Sequence, residues 1–207
     1  MRILVVAEGR HELNLGDGEP TNGPLVRLIS RVLCERFVGL IEFERRQVSS
    51  LTKAQSQLPG RAANYQRRAL VWMREAQNQG FDAIVLVVDQ DAQTDRRKGL
   101  DAAQADSNFW IRRALGLAVE SFDAWLLADE QAISKATQKT VQRQKPPELI
   151  RGAKAVLHAL IEDADEPRTT VYLKIAEYTR IETLCERCPM GFLPFHNRLI
   201  ALVSSAS

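Results

Sequence analysis

Two short apolar runs, each ending in an acid, constrain this chain more than any other feature. Ile3-Leu4-Val5-Val6-Ala7 leads into Glu8-Gly9, and Ile84-Val85-Leu86-Val87-Val88 leads into Asp89-Gln90-Asp91. A β-branched run of this length, closed by polar residues, reads as a strand buried on both faces, the mark of a parallel sheet covered by helices. In an open α/β sheet the positions just beyond the carboxyl ends of the strands line the ligand crevice. Glu8, Asp89 and Asp91 are therefore expected at one sheet edge. If the second strand continues, Asp89 and Asp91 point to one side with Gln90 opposite. Three carboxylates so placed repel one another unless a cation neutralises them, and hard oxygen donors suit Mg²⁺ or Mn²⁺.

The rest of the chain supplies the partners such a sheet needs. Residues 2–7 are read as the first strand, followed by a long Gly- and Pro-rich loop from Gly9 to Pro24 and an amphipathic helix near Leu25 to Phe37. A loop of that length in a compact domain is more often functional than accidental. Leu40 to Val48 alternates weakly, as an edge strand does, and Arg61 to Gln79 carries helical spacing closed by Gly80. After the third strand come a helix from about Leu100 to Leu115, a short fourth strand at Leu117 to Val119 ending at Glu120, and a helix beginning at Ser121 or Phe122. Residues 131–147 are polar and basic and end in Pro146-Pro147, so they are read as a linker or exposed loop. Two further helical patterns, near Glu148 to Glu162 and Thr170 to Cys188, precede a short apolar tail. The expected organisation is an α/β domain over 1–130, the basic stretch 131–147, and a C-terminal helical extension over 148–207.

At 207 residues the chain can bury one sizeable core, and 45% hydrophobic with 26% charged residues is ordinary globular composition. A net charge of +2 gives no whole-chain argument for nucleic acid, although a local basic face can still exist. The first apolar run is too short for a signal-peptide core, no stretch is long enough to span a bilayer, and three cysteines make no disulfide framework. A cytoplasmic location is the expectation.

Strand, Glu-Gly, helix, strand, helix, strand, Asp-x-Asp in this order resembles the Toprim domain of topoisomerases, bacterial primases and nucleases of the overcoming-lysogenization-defect family. The block Glu120-Ser121-Phe122-Asp123-Ala124-Trp125-Leu126-Leu127-Ala128-Asp129 is similar to the Glu-x-x-x-Ala-Trp-Leu-Leu-Ala-Asp segment of a family of small bacterial Toprim-like proteins, and Cys188-Pro189 with Phe192 and Phe195 resembles that family's C-terminus. The resemblance implies a Toprim-like (Rossmann-like) parallel sheet, Mg²⁺- or Mn²⁺-dependent nuclease activity on nucleic acid, most plainly DNA, a genome-defence or mobile-element setting and a partner ATPase. The alternative is a catalytically inactive Toprim-fold module that binds nucleic acid or a partner protein. Two motifs depart from the family: the segment after Asp91 lacks the glycine many Toprim domains place there, and Glu8-Gly9 is followed by Arg10-His11-Glu12.

Within that reading Glu8, Asp89 and Asp91 are both the catalytic set and the metal ligands, with Glu8 as ligand or general acid/base. Glu120 is either a further ligand, opening a second metal position, or part of the helix start that follows it. Gly9, Arg96, Arg97 and Lys98 are the expected substrate-binding residues, the three cations neutralising phosphates beside the cleaved bond. His11 and Glu12 are read as a solvated loop, with a role in supporting Glu8 or contacting substrate as the alternative, Asp123 as a first-turn charge and Asp129 as a helix-end residue. Cys185 and Cys188 have the spacing of half a zinc site but lack two further ligands, and Cys185 falls on an apolar helical stripe, so both are read as structural. Trp125, in its Ala-Trp-Leu-Leu context, is read as core.

Overall fold

A computed structural model describes residues 1–15, 22–50, 64–90 and 95–204. Its centre is a four-stranded, wholly parallel sheet of order β2-β1-β3-β4, formed by β1 (Arg2–Ala7), β2 (Glu42–Gln47), β3 (Ala83–Asp89) and β4 (Arg112–Ala118). β1 and β3 take the middle because every residue from Ile3 to Ala7 and from Ala83 to Val88 is buried, leaving no face for water. β2, reading Glu-Phe-Glu-Arg-Arg-Gln, is only partly buried and lies at an edge, where charged side chains also discourage pairing with other chains. The fold is α/β and Rossmann-like.

The two-residue period of the strands divides the core into two. Ile3, Val5, Val85 and Val87 point to one face, and Leu4, Val6, Ile84 and Leu86 point to the other. The second face is covered by α3 (Asn64–Asn78) and α4 (Asp95–Gln104), which bring Trp72, Met73 and Leu100. The first face receives α2 (Pro24–Cys34), preceded by a single helical turn α1 (Arg10–Leu13). It is also covered by α5 (Phe122–Leu126), α6 (Glu130–Thr137), α7 (Ala153–Ile161), α8 (Arg168–Tyr178), α9 (Ile181–Arg187) and α10 (Phe192–Ser204). No helix among the described residues is long and apolar enough to cross a membrane.

Four boundaries differ from the sequence reading, each because tertiary contacts outweigh local pattern. The helix expected to run to Leu115 ends at Gln104, and Arg112 onward is strand. Arg-Arg-Ala-Leu favours helix by propensity, but here it lies between β3 and α10, where a buried strand is required. Gly116 permits that approach, since a Cβ there would come within 2.7 Å of the Phe195 ring. The expected linker at 131–147 begins with α6, whose Ala132, Ile133 and Ala136 are buried. The expected Thr170–Cys188 helix is broken at Thr179 and Arg180 into α8 and α9. The apolar tail is a helix, α10, packed on β4 and α2.

The break after α8 is fixed by Asp129, which is fully buried. Its carboxylate caps α6 by accepting the Gln131 and Ala132 N–H groups, and it also accepts the Arg180 backbone N–H at 3.0 Å and Nε at 2.9 Å. Trp125 is core as expected, stacked 5.4 Å from Phe195 and edge-on to Phe122 and Phe192. Cys188 is buried with its thiol toward the Ala124 carbonyl, and burial pushes it well above the usual thiol range.

Candidate functional site

Glu8 lies immediately past β1, and its Oε2 accepts two hydrogen bonds from the neighbouring elements. One comes from the Asp89 backbone N–H at 3.1 Å and the other from Arg96 Nη1 at 2.9 Å. The Glu8 carbonyl in turn accepts from Gln47 Nε2 at 2.9 Å. One residue thus ties the carboxyl ends of β1, β2 and β3 together. Arg96 comes from the first turn of α4, also donates to the Asp89 carbonyl, and lies over the Tyr65 ring at 4.4 Å. Its side chain is 6% exposed. The guanidinium is thus engaged by Glu8, the Asp89 carbonyl and the Tyr65 ring, which makes Arg96 a tie between α4 and the sheet edge. Arg97 acts electrostatically on Glu148, and Lys98 is exposed on the same helix; neither lines the cleft described next.

Beyond the carboxyl edge of the sheet opens a cleft of about 590 Å³. Gly9, Asp89 and Glu120, all expected site residues, line it. Asp89 Oδ1 accepts the Phe122 N–H at 2.8 Å, which orients the carboxylate and satisfies the start of α5. Glu120 follows β4 with φ at 64°, a conformation a non-glycine residue seldom adopts, and the Ser121 N–H closes back on the Val119 carbonyl at 2.9 Å. That tight three-residue turn sets Glu120 at the cleft. Asp91 lies outside the described residues.

Two further acids occupy the same cleft, and neither was read as a site residue. Glu12, expected in a solvated loop, is 7% exposed and its Oε1 accepts the Gly9 N–H at 3.2 Å. Burial first, and then the negative charges of Asp89, Asp123 and Glu8, push its pKa well above the usual carboxylate range. A Cβ at position 9 would fall inside contact distance of that oxygen, so Gly9 is the residue that lets the Glu12 carboxyl fold onto the backbone. Asp123, read as a first-turn charge, accepts from Tyr172 Oη at 2.8 Å and from Ser121 Oγ at 3.4 Å. Burial, then the charge and hydrogen bond of Asp123, hold the Tyr172 phenol protonated far above its ordinary range.

The cleft also has a basic lining from the C-terminal helices, with Lys154 and His158 on α7 and Arg168 on α8. Burial, with the positive charges of Arg168, Lys154 and His11, lowers the pKa of His158 against a smaller opposing effect of Asp123. Glu12 had a signal in the sequence, since Gly9 as N-cap with Glu12 three residues on is the spacing of a capping box. The basic wall had none, being assembled from residues about 150 positions away from Glu8.

Among the described residues no three His, Cys, Asp or Glu side chains are gathered closely enough to hold a metal ion by themselves. Comparison with known proteins finds no matching family model, no matching curated protein and no matching solved structure.

Proposed function

We propose that this cleft carries out metal-dependent phosphodiester chemistry on nucleic acid, as a Toprim-type nuclease. The observation that carries the reading is convergence: acids that follow β1, β3 and β4 line one cleft, where burial first, and then the charges of Asp89, Asp123 and Glu8, raise the Glu12 pKa. The carboxylates of Asp89 and Glu120 on this cleft are hard oxygen donors, which suit a divalent cation. Asp89 and Asp91 would hold Mg²⁺ or Mn²⁺, with Glu120 on the same cleft as a further donor. Such an ion supplies polarisation of a phosphate oxygen and stabilisation of the leaving oxygen.

The protein groups account for the remainder. Glu12 retains its proton to higher pH than an ordinary carboxyl and is placed in the cleft to deliver it to a leaving oxygen. Asp89 is oriented by the Phe122 N–H, and Asp123 is held by Tyr172. Glu8, with Arg96 and the Asp89 N–H on one oxygen, is a positioning residue that fixes the distance between the ends of β1 and β3. The genome-defence setting and a partner ATPase are carried by the Toprim resemblance alone.

A second reading is favoured by one observation, the Glu8–Arg96 pair. It occupies the first motif acid with a protein cation and suits a module that binds nucleic acid or a partner protein without turnover. The two readings separate on supercoiled, linear and single-stranded DNA, and on RNA, with Mg²⁺ or Mn²⁺ present. A nuclease should lose cleavage on chelation, and Glu12→Gln or Asp89→Asn should reduce turnover by about 10²-fold or more while binding persists. Absence of cutting on every substrate, with Glu12→Gln binding like wild type, decides for the module.

A further inference from the structure

Among the described residues no ion pair or side-chain hydrogen bond engages Lys154 or Arg168, both exposed on their helices. The wall is formed by the first turns of α7 and α8, represented by Ala153 with Lys154 and by Arg168 with Thr169. Neither helix start is capped by a side chain. Uncapped first turns carry N–H donors and the positive end of the helix dipole, so two such ends and two cations face the same volume as the carboxylates. Enclosure matters as much as charge. The cleft is walled by α1, α5, α7, α8 and the sheet edge, and about 590 Å³ accommodates a ligand of nucleotide size rather than the body of a duplex.

We propose that Lys154 and Arg168, with the first turns of α7 and α8, form a phosphate subsite that receives the terminal phosphate of a single-stranded nucleic-acid end. The substrate class rests on the phosphodiester reading above, whereas the anion subsite stands on the cleft's own geometry. Opposite charge on the two walls gives the bound strand a direction: the terminal phosphate lies against the helices and the adjoining phosphodiester lies toward Asp89 and Glu12. His158, between Lys154 and Tyr172 along this wall, contributes a ring that need not be charged to donate a hydrogen bond.

The test is an equilibrium binding titration of the full chain in chelator, so that no strand is cut. The probes are one short single-stranded oligodeoxynucleotide with a 5′-phosphate, with a 3′-phosphate or with neither, and the same sequence as a blunt duplex. One phosphorylated form should bind about tenfold or more tightly than the unphosphorylated form, the size expected of a few charge-assisted hydrogen bonds. Inorganic phosphate should compete for that increment. The double variant Lys154→Ala/Arg168→Ala should lose the increment while keeping its melting temperature, and Lys154→Arg should keep most of it. Equal binding of all single-stranded forms, tighter binding of the duplex, or an increment unchanged in a folded double variant overturns the subsite. The outcome is separable from the activity itself: a phosphate-end preference without cleavage under any metal condition supports the subsite and removes the nuclease reading. Cleavage unaffected by the double variant, with its affinity also unaffected, does the reverse.

Discussion

Gly9→Ala isolates the packing of one carboxyl group against one backbone atom. Gly9 sits at φ −87° and ψ 135°, a conformation open to any residue, so the substitution carries no backbone strain. Taken alone, it would stabilise the protein by about 0.4–1 kcal/mol through the unfolded chain. Against this, the new methyl group would overlap Glu12 Oε1, forcing the carboxyl away and leaving the Gly9 N–H without its acceptor. The Gly9 N–H is half-buried, and loss of its partner together with displacement of the buried Glu12 carboxyl costs about 1–3 kcal/mol. The loss outweighs the gain, so Gly9→Ala should destabilise by ~1–2 kcal/mol, or a few degrees in melting temperature for a chain of this size. The decisive background is Glu12→Ala, in which clash and hydrogen bond are both absent. There Gly9→Ala should be neutral or mildly stabilising, giving a coupling energy on the order of 2 kcal/mol in a double-mutant cycle by urea denaturation. An equal cost of Gly9→Ala in both backgrounds would show that the Glu12 carboxyl does not rest on Gly9, and with it would go the buried, charge-crowded Glu12 on which the proposed proton donor depends.

Calorimetry with Mn²⁺ should detect binding that Asp89→Asn or Asp91→Asn weakens strongly; equal binding by wild type and the double variant would remove the metal from the cleft. Arg96→Met should destabilise the fold by about 1–3 kcal/mol by leaving the half-buried Glu8 without its cation, measurable by chemical denaturation, whereas a merely surface-paired arginine would cost under 1 kcal/mol. Asp129 gives a pH test. Burial alone would raise its pKa, but the hydrogen bonds and charge of Arg180 more than offset this and hold it below the usual carboxylate range. A lowered native value contributes stability above the unfolded pKa of about 3.9 that is lost as pH falls through the native one. The stability gap between wild type and Asp129→Asn should therefore be constant near neutrality and close below roughly pH 4. Metal analysis of the purified protein should find no stoichiometric zinc, because burial pushes Cys185 up to about 11 and Cys188 further; one zinc per chain, lost on Cys188→Ser, would reverse that reading.

The central strands and their order in the chain were legible because β1 and β3 are buried on both faces, so almost every residue in them is apolar and no other assignment suits them. β4 was legible only at its end, Leu117 and Ala118, since Arg112 to Leu115 has a helical pattern and the need for a glycine beneath Phe195 depends on a helix that begins 76 residues later. At the site, Glu8, Asp89 and Glu120 announce themselves by their position after apolar runs. Glu12 was obscured because a carboxyl in a four-residue turn resembles a solvated loop until the cleft that buries it is assembled. Arg96 was assigned to phosphate because a cation shortly after two aspartates looks free in one dimension; in three, α4 returns over the sheet edge and delivers it to Glu8. Lys154 and Arg168 carry no local mark at all, for nothing in a solvated helix face indicates what it will oppose.

The C-terminal helices are consequently part of the site's electrostatics and not only of its packing. A sheet edge bearing Glu8, Glu12, Asp89, Glu120 and Asp123 accumulates negative charge that each strand end adds independently. Within the α/β portion the structure answers only part of it, by burying Arg96 against Glu8. The remainder is met from outside: Tyr172 of α8 donates to Asp123, Arg180 draws the α8–α9 junction onto Asp129 at the start of α6, and this pair of ties holds α8, with Arg168 in its first turn, at the cleft that Lys154 of α7 also lines. Asp129 lies in the same ten-residue block as Glu120 and Asp123, which explains why that block combines site acids with a buried structural one. Its first acid faces the cleft with Asp89, its second holds Tyr172, and its last anchors α8, which carries Arg168.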